Sequence, residues 1–193
     1  MIKSQAISNL KSPISRRKAA SGFTMIELLI SVTVIAVAST VVFGAYRQVT
    51  AGQNANIEAE ASLAMLADLR GHFQPQGTTD NVSPQVVVNA SLAPSNMIQG
   101  DDIISSWGTV YNIQEFSSPN SSSNDSFHFT IPNVESDSCA RFVSRAEGAF
   151  YRVDVGGTTV KDRSAGNNNV DAAELATQCA DGADIDLYAT LRG

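Results

Sequence analysis

The sequence contains few cysteines and histidines, two residue types with which proteins often hold metals or perform catalysis. Its 193 residues include only two cysteines and two histidines, His72 and His128. Neither histidine belongs to a His-x-x-x-His or Cys-x-x-Cys pattern, and no Gly-x-Ser-x-Gly elbow or phosphate-binding glycine loop occurs. The carboxylates of residues 181–186 lack the spacing of an EF-hand calcium loop and are better interpreted as a solvated turn. We therefore expect no enzyme, no cofactor and no metal site.

Acidic residues are absent from the first 22 positions and predominate after them. That segment carries five of the 13 lysines and arginines. Eight cations then face 19 acidic residues from position 23 onward, a net charge of −11. Such a body repels nucleic-acid phosphates, so we expect no nucleic-acid partner. The basic first segment is typical of a segment that stays on the cytoplasmic side of a membrane.

Charge disappears altogether over the 19 residues from Leu28 to Tyr46, about the length of a helix that crosses a bilayer. This run is compatible with a secretory signal cut after the triplet 36–38, with a permanent anchor, or with a cut between Gly22 and Phe23 that leaves the apolar helix in place. Glu27 favours the last interpretation. An unpaired carboxylate in hydrocarbon costs about 2.5 kcal/mol or more, and this cut creates a nearby α-amino group on Phe23.

The stretch RRKAASGFTMIELLISV, residues 16–32, resembles the class III signal of the type IV pilin superfamily. The likeness is carried by the order of Gly22, Phe23, Thr24 and Glu27 at the edge of an apolar run. It implies that a prepilin peptidase cuts after Gly22 and methylates the new N-terminus at Phe23. It also implies an assembly role for Glu27, whose carboxylate would pair with the amine of a neighbouring subunit and set the axial register.

The periodicity of the chain predicts one helix from about Phe23 to Phe73. No proline occurs between Pro13 and Pro75, and Pro75 and Gly77 are expected to end the helix. Beyond the polar stretch that starts at Arg47, apolar residues recur at three- and four-residue steps, which predicts a buried stripe. The stripe consists of Ile57, Ala61, Met65, Leu66, Leu69 and Phe73.

Beyond Pro75 the pattern changes to short, alternating runs that are typical of strands. Strands are predicted at 85–89, 109–114, 126–131, 149–155 and 184–191, and short helices at 136–146 and 170–179. A long helix followed by strands on which it can pack indicates an α+β fold with a small antiparallel sheet. The predicted division is a leader peptide (1–22), a transmembrane or filament-core helix (23–46), its amphipathic continuation (47–75) and a globular α+β region (76–193).

Cys139 and Cys179 form an even pair in a body that we expect outside the inner membrane, where disulfides persist. A bond between them would close a loop of about 40 residues and stabilise the fold by roughly 4 kcal/mol. Two free thiols are the alternative. Pilins typically close their last segment with one disulfide, so the resemblance also implies the bond.

Two passages resemble the type IVb branch of the superfamily. One is residues 92–113, with a proline followed by Trp-Gly before a strand, and the other runs from residue 139 to residue 188. Phe23 as the first mature residue is instead typical of type IVa pilins. Gly44 stands where many type IVa pilins and pseudopilins carry proline.

These features lead to the hypothesis of a type IVb-like pilus subunit that homopolymerises through its apolar helix into a surface filament. Such filaments serve adhesion, aggregation, motility or conjugation. The precursor would span the inner membrane once with its globular region in the periplasm. Its partners would be the prepilin peptidase, an inner-membrane assembly platform and an assembly ATPase. A type II secretion pseudopilin or a minor pilin is the alternative, and a membrane-anchored adhesin or sensor that never polymerises is an alternative of another class.

Overall fold

The structure, a computed structural model, describes residues 24–119, 121, 123–179 and 182–192. The chain divides into two compact units, with the division between Val42 and Phe43. Helix α1 (Met25–Phe73) contributes to both units, which confirms the long helix expected from the sequence. We call the second unit, which starts at Phe43, the head.

The head combines three further helices with two antiparallel sheets, so the α+β class is confirmed. The helices are α2 (Pro84–Asn89), α3 (Ser136–Ala146) and α4 (Ala172–Gln178). The small sheet pairs β1 (Ile98–Gln99) with β2 (Asp102–Ile103). The main sheet contains β3 (Asn112–Phe116), β4 (Ser126–Val134), β5 (Arg152–Val155), β6 (Thr158–Asp162) and β7 (Ala183–Thr190).

The last strand of the chain lies in the middle of the main sheet. The spatial order is β3-β4-β7-β5-β6, and every neighbouring pair is antiparallel. Strand β7 therefore joins two pairs of strands that share no other ladder. Its odd-numbered residues Ile185, Leu187 and Ala189 are buried in the core, and Phe127, Phe129 and Ile131 of β4 lie beside them.

Helix α1 supplies the other side of the same core. Its buried apolar residues belong to one cluster with the inner face of the main sheet. Phe73 meets Phe127 of β4 edge-on, with ring centroids 5.8 Å apart. Of the predicted stripe, Ala61, Met65, Leu66, Leu69 and Phe73 are buried. Ile57 is wrongly assigned to it, because this side chain is 50% exposed.

The strand predicted at residues 85–89 is wrong, because these residues form helix α2. Ser83 caps the helix by accepting a hydrogen bond from the Val86 amide at 3.4 Å, and Pro84 occupies the first turn. A serine cap followed by proline is a strong helix start, and here it overrides the strand preference of three consecutive valines.

Other strands of the structure also differ from the prediction for local reasons. The run at 149–155 begins as a 3-10 turn and a bend, so that β5 starts only at Arg152. Strand β6 was not predicted, although the Gly156–Gly157 turn that joins it to β5 is a recognised hairpin signal. Both glycines have positive φ, 58° and 79°, as a two-residue hairpin of the type I′ class requires.

A disulfide between Cys139 and Cys179 ties α3 to the end of α4. The two Cα atoms are 5.6 Å apart, and Cys139 is fully buried. Asp171 fixes the start of α4 by accepting hydrogen bonds from the amides of Ala173 and Glu174 at 2.9 and 3.1 Å. Closing a segment of 40 residues stabilises the head by roughly 4 kcal/mol in the loop-entropy account.

The outer face of the main sheet carries a transverse row of polar and aromatic side chains. His128 of β4 stacks on Tyr188 of β7, with centroids 4.4 Å apart, and its Nε2 lies 2.9 Å from Asp186. Burial raises the pKa of the Asp186 carboxyl, but hydrogen bonds from His128 and Thr130 outweigh it and hold the pKa below its ordinary value. Burial and nearby carboxylates raise the pKa of Tyr188 to about 12.

We predict that Asp186→Asn destabilises the head by about 1–2 kcal/mol at neutral pH, because the carboxylate accepts two hydrogen bonds. A carboxyl whose folded-state pKa is depressed contributes stability above its unfolded pKa, about 3.9, and loses it as pH falls through the folded value. The difference in unfolding free energy between the variant and the wild type should therefore narrow below about pH 4. Urea unfolding followed by the fluorescence of the single tryptophan measures this gap, with Asp101→Asn in an exposed turn as the control. A gap that stays constant on acidification would contradict the assignment.

Candidate assembly helix and its anchorage in the head

The first unit presents helix α1 with apolar side chains on every side. Within residues 24–42 the large apolar residues are all more than half exposed. These are Met25, Ile26, Leu28, Leu29, Ile30, Val32, Val34, Ile35, Val37, Val41 and Val42. The helix is long and apolar enough to cross a membrane, and none of its most apolar stretch is buried in the structure. An apolar surface of this extent indicates lipid or other copies of the helix as its surroundings.

The hydroxyl groups in this part of α1 are satisfied within the helix. Ser31 and Ser39 donate to the carbonyls four residues before them at 2.8 and 2.7 Å. Thr33 and Thr40 donate to the carbonyls three residues before them, both at 2.8 Å. A hydroxyl bonded to its own backbone carries little penalty in hydrocarbon, so the four polar residues do not interrupt the apolar surface.

Glu27 lies in the first turn of α1, three residues after Thr24. The Thr24 hydroxyl accepts a hydrogen bond from the Glu27 amide at 3.3 Å, and the Thr24 carbonyl accepts one from the Leu28 amide at 3.1 Å. This is half of a Thr-x-x-Glu capping box, in which glutamate also complements the helix dipole. The cap was missed in the sequence, although the spacing of Thr24 and Glu27 signals it. Among the described residues, nothing pairs with the exposed carboxylate of Glu27.

The processing residues Gly22 and Phe23 and the leader 1–22 lie outside the described residues. The cut between Gly22 and Phe23, the methylation of Phe23 and the pairing of its amine with Glu27 stay predictions.

A buried carboxylate fastens the second half of α1 to the loop that precedes β3. Glu58 is 0% exposed. One of its oxygens accepts a hydrogen bond from the Tyr111 hydroxyl, and the other accepts one from the Ser106 amide at 2.6 Å. The Tyr111 hydroxyl also lies 2.9 Å from the Ser62 hydroxyl. Burial and the charge of Glu58 raise the pKa of Tyr111 well above its ordinary value, so the phenol stays protonated and donates.

Glu58 was missed in the sequence because it reads as part of a polar stretch. The signal available in the sequence was the position of Glu58 relative to the other buried residues of α1. The buried residues of α1 recur at steps of three and four through Ala51, Ala55, Glu58, Ser62, Met65 and Leu69, so Glu58 and Ser62 fall on the core-facing stripe. A carboxylate on such a stripe needs hydrogen-bond donors, and the loop before β3 supplies them.

The described residues carry no arrangement suited to catalysis or metal binding. No group of three or more histidine, cysteine or acidic residues lies close enough within the described ranges to hold a metal ion. His72 is exposed near the end of α1, and His128 belongs to the outer row of the sheet. What the molecule offers is a long apolar helix whose second half is packed and hydrogen-bonded into a disulfide-closed head.

Comparison with known proteins identifies this arrangement. Residues 17–43 match the prokaryotic N-terminal methylation motif, and residues 37–191 match the family model described as PilS N terminal. The chain belongs to the PilS family of type IV pilins. The pilin is thus a structural subunit of a pilus and not an enzyme. Family membership implies that its N-terminal signal is processed and that its subunits polymerise.

Solved pilins share the fold of this pilin. A type IVb pilin from Salmonella typhi matches with a TM-score of 0.53 at 14% identity, covering 68% of this chain and 97% of that one. TcpA, a type IV pilin from Vibrio cholerae El Tor, matches with a TM-score of 0.55 at 14% identity, covering 72% and 99%. At such identity the likeness establishes the fold alone. No curated protein sequence matches significantly.

We predict that Glu58→Gln destabilises the head by about 1–3 kcal/mol, because both carboxylate oxygens accept hydrogen bonds and a neutral amide keeps only one accepting oxygen and no charge. Tyr111→Phe should cost a similar amount, and the double variant should cost less than the two together. Urea unfolding followed by Trp107 fluorescence measures each loss. Glu60→Gln, an exposed carboxylate two residues along α1, serves as the matched control and should change stability by less than about 0.5 kcal/mol. Equal stabilities for the Glu58 and Glu60 variants would refute the network.

Proposed function

We propose that the chain is the major subunit of a type IVb-like pilus, made as a precursor that spans the inner membrane once with the head in the periplasm. The observation that carries this proposal is the continuous helix α1, whose first part is apolar on all sides and lies within the match to the N-terminal methylation motif. Membrane and filament core both provide apolar surroundings, so one helix can serve successively as anchor and as polymer core. The type IVb assignment is supported by the likeness to the Salmonella typhi pilin and by the two sequence passages.

In this proposal each segment has its own role. The leader 1–22 is removed by the prepilin peptidase, and residues 23–46 form the filament-core helix. Residues 47–75 continue that helix into the globular region 76–193. An inner-membrane platform and an assembly ATPase extract the subunit from the bilayer. The finished filament lies outside the cell and serves adhesion, aggregation, motility or conjugation.

Glu27 is proposed to work through charge as well as through helix capping. When the subunit leaves the membrane, its carboxylate and the amine of Phe23 lose the water and headgroups that solvate them. An unpaired charge in an apolar core costs several kcal/mol, and pairing with the amine of a neighbouring subunit removes most of that cost. Because the pair forms at one axial offset only, it also selects the register of docking.

We expect the surface protein to begin at Phe23 and to carry one added methyl group, because only this cut leaves α1 attached. Intact-mass analysis of subunits from sheared filaments measures the start of the chain. The same preparation on a gel shows whether the chain dominates the filament, as a major subunit should. A chain that begins at Ser39 would mean that the apolar helix has been discarded, which is incompatible with a pilin.

We expect Glu27→Ala to leave cleavage intact and to lower filament yield by more than tenfold, because it removes a pairing worth several kcal/mol. Glu27→Gln separates charge from capping, since glutamine also fits the capping box. The measurements are an immunoblot for mature subunit and electron microscopy of sheared fibres, with Glu60→Ala on the same helix as the control. A loss with both alanine and glutamine supports the charge pair. Normal filaments from Glu27→Gln would reduce Glu27 to a capping residue.

A further inference from the structure

A shallow groove of about 450 Å³ runs between α1 and α3 within the head. It is lined by Gly52, Asn56, Ala140, Arg141, Ser144 and Arg145. The two arginines are one helical turn apart on α3, and both are exposed. They are the only charged residues of this lining. In a body with a strong excess of acidic residues, such a purely cationic surface stands out.

Arg141 lies directly against the backbone of α1. Its Nη1 donates to the Gln48 carbonyl at 3.4 Å, and a Cβ at Gly52 would lie only 2.7 Å from the same nitrogen. The glycine thus leaves the space that the guanidinium occupies. This contact uses one of the five N–H groups of Arg141 and leaves the others for a ligand.

Neither groove arginine has a carboxylate partner. No acidic oxygen lies within 4.0 Å of Arg141 or Arg145 among residues 24–119, 121, 123–179 and 182–192. Three other cations of the head have partners within it. Arg152 pairs with Asp154, Lys161 donates to the Glu147 carbonyl, and Arg163 donates to the Gly148 carbonyl.

The carboxylates at the start of α3 border a different depression. Glu135 and Asp137, at the start of α3, line a separate depression of about 190 Å³ together with Arg47. They do not line the groove that holds Arg141 and Arg145. The groove itself keeps an excess of positive charge, which favours an anionic occupant.

The position of the groove along α1 points to the identity of that anion. The uncharged run ends at Tyr46, and tyrosine is enriched where a spanning helix meets the headgroups. Gln48 and Gly52, which contact Arg141, follow two and six residues later, a rise of about 3–9 Å along the helix. The polar layer of one leaflet is roughly 5–7 Å thick. Gln48 and Gly52, and with them Arg141, therefore follow the end of the uncharged run by about the thickness of one headgroup layer.

We propose that the groove between α1 and α3 binds the headgroup of an anionic phospholipid while the precursor is anchored in the membrane. The planar guanidinium groups of Arg141 and Arg145 bind phosphate oxygens in the bidentate manner that suits arginine. The amides and hydroxyls of Asn56 and Ser144 border the same groove and can bond to the hydroxyls of a headgroup. This inference rests on the membrane anchor in the proposed function.

The test uses the 193-residue chain reconstituted into vesicles of phosphatidylcholine, with or without phosphatidylglycerol. Thermal unfolding of the head is followed by the fluorescence of Trp107, the single tryptophan, whose ring lies 5.6 Å from that of Phe142 on α3. Phosphatidylglycerol should raise the Tm by about 4–8 °C, as expected for two arginines near an anionic surface, and the rise should shrink with added salt.

The double variant Arg141→Gln/Arg145→Gln should lose most of this lipid-dependent rise. The charge-matched control Arg163→Gln/Arg192→Gln removes two exposed cations that do not line the groove, and it should keep the rise. Because the readout is the difference between two vesicle types, a variant that is less stable in both still gives a valid answer.

Four outcomes would overturn the inference. The first is a wild-type Tm that is equal in both kinds of vesicle. The second is a groove variant that keeps the full lipid-dependent rise in Tm. The third is an equal rise with inorganic phosphate in phosphatidylcholine vesicles, which would indicate a site for free anions. The fourth is a rise that depends on the density of protein in the membrane, which would make a second copy the occupant. Failure of the proposed function is distinct, since a chain without an anchor would not stay with either vesicle.

Discussion

Helix α1 has to satisfy two opposite demands along one continuous run of hydrogen-bonded backbone. Its first part must expose apolar side chains in all directions, and its second part must bury one face while the other meets water. The first demand is met by a composition without charge between Leu28 and Tyr46 and by hydroxyls that bond back to the helix. The second is met by a stripe of small and apolar residues at three- and four-residue steps.

Apolar packing alone would hold the second part of α1 without fixing how it is oriented. Glu58 fixes the orientation, because its two oxygens accept hydrogen bonds from Ser106 and Tyr111 in the loop before β3. Burying a carboxylate without a cation is costly unless its hydrogen bonds are complete. A slip of the helix by one turn would leave this carboxylate unsatisfied. The polar contact thus specifies a single packing arrangement, whereas the surrounding leucines and methionines alone would permit others.

The sequence was sufficient for the features that depend on composition and long-range periodicity. The long helix, the α+β class, α3, α4 and the central strands β4 and β7 follow from patterns that the tertiary structure reinforces. It was insufficient where local chemistry competes with propensity, as in α2, where Ser83 and Pro84 outweigh three valines. Glu58 was missed also because its partners, Ser106 and Tyr111, lie about 50 positions away. Nothing in a single sequence places those donors opposite the helix.

The position of β7 has a consequence for how the subunit is made. Strands β3 and β4 form one pair and β5 and β6 another, and only residues 183–190 connect them. The main sheet therefore cannot form as one piece until residues 183–190 are available to pair with both β4 and β5. A truncated product would present two unsatisfied inner edges, the state of a β protein that is most prone to degradation or aggregation. The order of the strands thus makes closure of the sheet depend on one segment, residues 183–190, that follows all the other strands in the sequence.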